Sequence, residues 1–307
     1  VIAQTKICLF RPELQDITLK DFLKKDLGIS AQFIKKFKLS RSYLEKSFSH
    51  QSEISVPLDI LNKGMVNPSY SGPKLDILYE DEEFLALNKP SGLHLHPFYY
   101  TEQSNLLSFL RKIGKKSILN IATETHEKGW LYRLDRETSG VVVAAKNRLV
   151  YELYRKKFSQ LVSLKRYICL VSGDCNLDGH YRLFYRSHAK KGALIQVSDQ
   201  ASFGKGGDFV IRKLYSNDKC HLLQVDLKTG LRHQIRAGLQ YLGCPIIGDT
   251  LYGQENASRL MLHAYQYRLQ RQEKEELIIT SSSFDGFDSF LDLDSLLEVL
   301  HKKSLVC

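Results

Sequence analysis

Along the first forty positions the apolar residues recur at helical spacing. In residues 18–27, Leu19, Phe22, Leu23 and Leu27 fall on one face and lysines on the other, the pattern of a surface helix. Gly28 suits the end of that helix, and Ser30 is placed to cap a second one that turns Phe33, Ile34 and Phe37 inward. Asn62-Lys63-Gly64 predicts the turn of a small hairpin within 58–70. The polar run at 69–74 reads as a linker.

From Leu75 onward the pattern changes to strands. Residues 75–92 predict two short strands joined by the acidic turn Glu80-Asp81-Glu82-Glu83 and closed by Pro90 and Gly92. The apolar runs 141–145 and 167–173 predict buried strands. Between them, 147–162 predicts a basic amphipathic helix with Leu149, Leu153 and Leu161 on one face. Residues 220–227 alternate like a half-buried strand. Residues 233–243 place Ile235, Leu239 and Leu242 on one helical side and stop at Gly243. Strands mixed with helices, without a regular βαβ alternation, predict an α+β fold rather than a doubly wound one. No internal repeat or low-complexity tract interrupts the chain.

Composition adds a partner class. The chain of 307 residues is long enough for one large domain and a small one, and 43% hydrophobic with 25% charged residues is ordinary for a globular core. Lysine and arginine number 44 against 34 acidic residues, a net charge of +10. That excess favours a polyanionic partner, nucleic acid ahead of an anionic membrane. Lys20, Lys24, Lys25, Lys35, Lys36 and Lys38 make the two leading helices a basic module, either a solvated face or a polyanion contact. The six cysteines are scattered with no C-x-x-C pair, as expected of free thiols in a reducing compartment. No run approaches the roughly 18 apolar residues of a membrane span, and the first residues are too short and polar for a signal peptide. A cytoplasmic location is expected.

Several constellations carry no chemistry. Gly204-Lys205-Gly206-Gly207 lacks the frame of a phosphate-binding loop. His94 and His96 lack the third and fourth ligands a metal needs. The run Arg133-Leu134-Asp135-Arg136-Glu137-Thr138-Ser139-Gly140 is different. A carboxylate between two arginines at the threshold of a buried strand stays ionised, because nearby cations offset desolvation. Such a pair is either a structural salt bridge or part of a site. Thr138, Ser139 and Gly140 add small donors and room for close approach. About a hundred residues later lies a second basic cluster, Arg232, His233 and Arg236. Two such segments together would suit an anion or an activated carboxylate.

These blocks resemble a known family. Residues 132–140, YRLDRETSG, are similar to the HRLDxxTSG signature of the RluA-type pseudouridine synthases. Residues 77–97 look like that family's opening strand pair, 165–173 like its K-x-Y segment, and 229–253 like TGRxHQIRxHL followed by GxPIxGDxLYG. Residues 259–269 resemble its late RLxLHA strand, so five blocks in order cover 77–269. The leading helix–helix–hairpin pattern is similar to the S4 RNA-binding domain, with 41–56 departing from it.

The resemblance implies a pseudouridine synthase fold, with a mixed, mainly antiparallel sheet flanked by helices over 77–307. It implies an S4-like RNA-binding module over 1–70 and a linker at 71–76. It implies an isomerase that turns specific uridines of structured RNA, ribosomal or transfer, into pseudouridine. Asp135 matches the family's catalytic aspartate, Tyr167 the tyrosine that packs on the target base and helps in proton removal, and Arg236 the basic residue paired with the aspartate. Arg133, Arg136, Thr138, Lys165, Arg232, His233 and Gln234 are the residues expected to contact RNA. No cofactor, metal or membrane is expected, and the chain is expected to be a monomer. The second functional class on the same fold is a catalytically silent RNA-binding or ribosome-assembly factor. Tyr132 stands where the signature has His, Leu231 where it has Arg, and Ala237-Gly238 where it has Val-His. These departures bear on RNA contacts.

Overall fold

The computed structural model describes residues 4–8, 16–26, 29, 31–49, 53–57, 60, 69–97, 102–122, 128–187, 194–253, 257–271, 275–292, 294, 296–298 and 300. In the first of its two apolar clusters, Thr18 caps a helical segment begun by α1 (Leu19–Asp21) and continued through a wider π-helical turn, Phe22–Asp26. Its Leu19, Phe22 and Leu23 are buried, as the periodicity requires, together with Ile34 of α2 (Ala31–Lys36). Ser40 caps the short α3 (Arg41–Leu44). Leu27, Gly28 and Ser30, the side chain of Phe33 and the 62–64 turn lie outside the described residues.

The expected hairpin at 58–70 falls almost wholly outside the described residues, and the strands described in this module are others. β1 (Gln4–Cys8) pairs antiparallel with β4 (Glu53–Pro57), and β2 (Ile17–Thr18) pairs with β3 (Ser47–Phe48). Alternation in Ile54 and Val56, both fully buried, is what makes 53–57 a strand. Tyr70, at the threshold of the expected linker, sets its ring edge-on to Phe109 at 5.3 Å and donates to the Pro73 carbonyl.

The larger cluster is built on a ten-stranded sheet. Its members are β5 (Ile77–Glu80), β6 (Phe84–Lys89), β7 (Ser139–Ala145), β8 (Val162–Val171), β9 (Gly179–Ser187), β10 (Ile195–Ser198), β11 (Lys205–Ser216), β12 (His221–Leu227), β13 (Leu262–Leu269) and β14 (Leu277–Thr280). The order is β10-β9-β11-β12-β8-β13-β7-β6-β5, with β14 pairing the far half of β13. Every pairing is antiparallel except β13 with β7. This is the α+β architecture with a mixed, mainly antiparallel sheet. Among the described residues, no helix is long and apolar enough to cross a membrane.

The acidic turn between β5 and β6 is an Asx turn. Asp81 accepts from the N–H groups of Glu83 and Phe84 at 2.8 Å and pairs with Arg271. Two helices, α4 (Leu106–Lys112) and α5 (Lys116–Leu119), follow β6. Asn105 caps α4 and Asn147 caps α6 (Arg148–Lys156), each accepting an N–H three residues on at 2.9 Å.

Two sequence expectations are corrected here. The inward face of α6 carries Tyr151 and Tyr154, whereas Leu149 is 81% exposed. The helix breaks at Lys157 before α7 (Phe158–Leu161), so Leu149 and Leu161 share no single helical phase. β12 is buried on both faces: Gln224 and Asp226 sit opposite the apolar positions yet are nearly inaccessible. Burial of Asp226 is matched by a bidentate pair with Arg166, at 2.8 and 2.9 Å.

The Ser-Gly pair of the Thr-Ser-Gly run is structural. Gly140 has φ +108°, and a Cβ there would lie 2.2 Å from the Ala264 oxygen, so only glycine lets β7 meet β13. Beside it Arg259 Nη2 donates to Ser139 Oγ at 2.7 Å, and Ser139 in turn donates to His263 Nδ1 at 2.9 Å. His263 Nε2 donates to the Ser281 carbonyl at 2.9 Å. The imidazole is fully buried, and burial pushes its pKa down to about 4.

Candidate active site

Asp135 sits in the loop that leads into β7, and that loop is bolted from beneath. Lys89, the last residue of β6, is fully buried and donates to the carbonyls of Pro90, Leu93 and Arg136 at 2.8–3.0 Å. Burial lowers its pKa to about 7, with the charges of Glu137 and Asp135 pulling the other way. Ser91 Oγ donates to the Glu137 carbonyl at 2.6 Å, and the Gly92 N–H to the Arg136 carbonyl at 2.9 Å. The Thr138 N–H closes the turn onto the Asp135 carbonyl. The backbone around the carboxylate is therefore held at several points.

The flanking arginines do not serve that carboxylate. Arg136 donates through Nε to the Gly92 carbonyl, and Arg133 is exposed on the groove wall. The cation beside Asp135 is Arg236, 101 residues away in sequence, with Nη1 3.2 Å from Asp135 Oδ2. It projects from α8 (Gln234–Tyr241). The same Nη1 lies 3.5 Å from Glu137 Oε2.

Arg236 is itself clamped. Its Nε and Nη2 each donate to a different oxygen of Asp249 at 2.8 Å, and both residues are essentially inaccessible. Asp249 also accepts the N–H groups of Leu251 and Tyr252 at 3.0 and 3.1 Å. Burial alone would lower the Arg236 pKa, but Asp249 and Asp135 outweigh it and the net shift is upward. Two of the three guanidinium nitrogens are thus spent on a buried carboxylate, and the third, Nη1, faces Asp135.

His233 precedes α8 in the left-handed region, φ 52°. Its Nδ1 is 2.9 Å from the Tyr252 hydroxyl and its Nε2 is 3.8 Å from Asp135 Oδ2. Burial lowers its pKa while Asp135 opposes the shift.

Above these residues lies a groove of about 1510 Å³ whose wall includes Asp135 and Tyr167. Asp135, 28% exposed, is open to it. Basic side chains line it too, Arg133, Arg155, Lys156, Lys205, Lys228 and Arg232 among them. Tyr167 on β8 is 6% exposed, its hydroxyl 2.5 Å from that of Tyr267, and burial raises its pKa. Lys165, two residues earlier on the same strand face, donates to the Thr229 carbonyl at 2.7 Å and lies over the Phe158 ring. Burial lowers its pKa to about 8.

The ten residues singled out in the sequence divide into two sets. Asp135, Tyr167, Arg236, Arg133, Lys165, Arg232 and His233 converge on the groove with side chains facing it or one another. Arg136, Thr138 and Gln234 line it while serving the scaffold. Arg136 is tied to Gly92 through its Nε, and Thr138 is buried. Gln234, 2% exposed, takes N–H and O–H donors from Leu231 and Thr229 and gives its amide to the Asp208 carbonyl. Lys89 and Asp249 were missed, although both fall inside blocks already noticed; a buried charge of either sign in an apolar run was the available signal.

The departures from the signature have physical counterparts. A Cβ on Gly238 would lie 2.7 Å from the Tyr185 hydroxyl and 3.2 Å from Phe209, so that space is already filled. Leu231 packs half-buried against the core. Tyr132 lies flat on Tyr267, centroids 4.2 Å apart.

Comparison with known proteins gives this arrangement its relatives. Residues 83–241 match the family model described as RNA pseudouridylate synthase. The ribosomal large subunit pseudouridine synthase D of Borreliella burgdorferi is 32% identical over 218 residues, covering 69% of this chain and 64% of that protein. An uncharacterized RNA pseudouridine synthase of Mycoplasma pneumoniae is 30% identical over 220 residues, 71% of this chain and 67% of that one. The chain therefore aligns with about two thirds of the length of these relatives. Among solved structures, human RNA pseudouridylate synthase domain containing 1 superposes with a TM-score of 0.54 at 21% identity, covering 74% of this chain and 95% of that one. The Asp135 loop and the start of the Arg236 helix both fall within the matched span, and on these grounds the chain belongs to the RNA pseudouridylate synthase family.

Proposed function

We propose that this protein is an RNA pseudouridine synthase, an isomerase acting on particular uridines of structured RNA. The observation that carries the reading is the Asp135 carboxylate, open to a basic groove and held 3.2 Å from a guanidinium that a buried aspartate clamps. The reaction breaks the N-glycosidic bond, turns the uracil and rejoins it through C5; the C5 proton leaves to solvent and N1 takes one up, so the product is an isomer. Asp135 serves as nucleophile at the sugar or as the base that deprotonates it. Arg236 supplies fixed positive charge where that carboxylate works.

The target nucleoside leaves its stack to reach the groove floor, where Tyr167 forms the platform for the base. Arg133 lies on the groove wall and helps to hold the opened strand. Arg136, Lys165, Arg232 and His233 contact the surrounding RNA, chiefly its phosphates, while Thr138 and Gln234 shape the wall from behind. Residues 1–70 form an S4-like module that adds RNA affinity, joined by the 71–76 linker to the catalytic domain over 77–307. Large-subunit ribosomal RNA is the favoured target, in keeping with what the Borreliella relative's name says of that protein; transfer RNA is the other.

Tritium release from RNA labelled at uracil C5 tests the chemistry. Wild type is expected to release tritium from total cellular RNA, and Asp135→Asn to release none while remaining folded, because that side chain is partly exposed. If wild type releases no more than the mutant yet binds RNA, the protein is instead a silent RNA-binding factor. Mapping pseudouridines in RNA from a deletion strain identifies the target.

A further inference from the structure

Behind Tyr167 stands a second tyrosine that the family signature does not mention. β13 runs beside β8, and their pairing slips between Ala264 and Gln266. That bulge sets Tyr267, rather than Gln266, opposite Lys165 and on the groove face; re-aiming a side chain is what such bulges do. Tyr267 is 1% exposed, its ring meets Tyr167 edge-on at 6.2 Å, and the two hydroxyl oxygens are 2.5 Å apart.

Tyr267 is in turn fixed from the other side. Tyr132 stacks on it with an interplanar angle of 1° and ring centroids 4.2 Å apart. The Tyr132 hydroxyl donates to the Val141 carbonyl of β7 at 3.1 Å. Tyr132 lies three residues before Asp135, in the same loop. A continuous line of contacts therefore runs from the loop bearing the carboxylate, through two stacked rings, to the hydroxyl of Tyr167.

We infer that Tyr267, braced by Tyr132, is a positioning residue that holds the Tyr167 hydroxyl and ring in fixed register with Asp135. The inference rests on the reading of this groove as the uridine-isomerising site. Two features make a positioning role the economical explanation. A phenol buried this deeply needs a partner for its O–H, which an apolar residue at 267 would not supply. The Tyr132 ring, standing where the signature has His, finds its flat contact only on another ring. Fixing a reacting geometry matters because displacements near 1 Å cost about a hundredfold in rate.

The test is a double-mutant cycle on single-turnover and steady-state tritium release. Tyr267→Phe keeps the ring, the stacking and the volume and removes only the hydroxyl. It is expected to lower kcat by about tenfold with KM unchanged within about twofold, the split of an interaction felt in the reacting complex. Because Tyr267 acts through Tyr167, the double variant Tyr167→Phe/Tyr267→Phe is expected to match Tyr167→Phe alone within about twofold. A wild-type kcat in Tyr267→Phe, a double variant slower than Tyr167→Phe by the full factor of the second change, or a wild-type kcat in Tyr167→Phe each overturns the inference.

A readout independent of turnover separates this outcome from failure of the functional reading. In protein labelled with ¹³C-tyrosine, Tyr267→Phe is expected to shift the Tyr167 ring resonance. An unmoved resonance overturns the positioning role even in an active enzyme. Absence of tritium release from every RNA, with the resonance shifted, sinks the functional reading alone.

Discussion

Replacing Asp249 by Asn tests how much the fold depends on the clamp behind the candidate site. The substitution is nearly isosteric and leaves Oδ1 to accept from Leu251, Tyr252 and Arg236 Nη2. It removes the negative charge and turns an amide N–H₂ toward the Arg236 Nε–H that Oδ2 had accepted at 2.8 Å. Arg236 is 1% exposed, so water cannot take the place of the lost oxygen. Breaking one side of a buried, hydrogen-bonded pair costs about 3–5 kcal/mol, because the partner's charge is left uncompensated. Asp135 still neutralises part of that charge, which favours the lower end. At about 2–4 °C per kcal/mol for a domain of this size, Tm is expected to fall by roughly 6–15 °C.

Urea denaturation followed by circular dichroism measures the cost, with unchanged m-values as the control for two-state behaviour. The companion variant Arg236→Met/Asp249→Leu removes both charges together and is expected to recover part of the lost stability while remaining inactive. A loss under about 1 kcal/mol in Asp249→Asn would refute the reasoning, since it would show that the guanidinium can find other compensation.

Three further outcomes follow from the geometry. The folded pKa of His263 lies near 4, below the ordinary value of 6.5, so the unfolded chain takes up the proton first; stability is full above pH 6.5 and falls toward pH 4, by up to about 1.4 kcal/mol per pH unit. His263→Gln should flatten that slope in acid titrations monitored by fluorescence, and an unchanged slope would contradict it. Gly140→Ala forces a Cβ onto the Ala264 carbonyl at a positive φ and is expected to destabilise by roughly 2–5 kcal/mol, read by urea melts. Removing residues 1–70 deletes a module whose core is distinct from the larger one; RNA affinity and its salt dependence should both drop while the remaining domain stays folded, measured by filter binding across a salt series.

Local chemistry was legible in the chain wherever a single segment carries its own reason. Leu19, Phe22 and Leu23 recur at helical spacing and are buried together. The run 141–145 is buried throughout, and 167–173 is buried as far as Val171, with Ser172 and Gly173 beyond the end of β8. Asp135 drew attention because it lies between arginines at the mouth of such a run. Yet those arginines are not its partners, and the real one lies 101 residues on. Periodicity failed where burial is not set by one face. Leu149 looks inward on a helical wheel, but Tyr151 and Tyr154 offer more apolar surface and the helix ends too soon to keep Leu161 in phase. In 220–227 alternation suggested a wet face, and a bidentate ion pair made a dry one tolerable.

Taken by itself, the chain determined the strands at 84–89, 141–145 and 167–171 and the helix at 234–241, because each depends on neighbours a few residues apart; its basic character and the order of its motif blocks are read directly from it. Tertiary structure alone decided which charges meet. Arg236 reaches Asp135 only after β7, β8 and β13 have paired and α8 has packed on the sheet. Asp249 and Arg236, 13 residues apart in the chain, meet where both are out of water. Hydrogen bonds and ion pairs fall off within a few ångströms, and only folding brings residues a hundred positions apart to that distance.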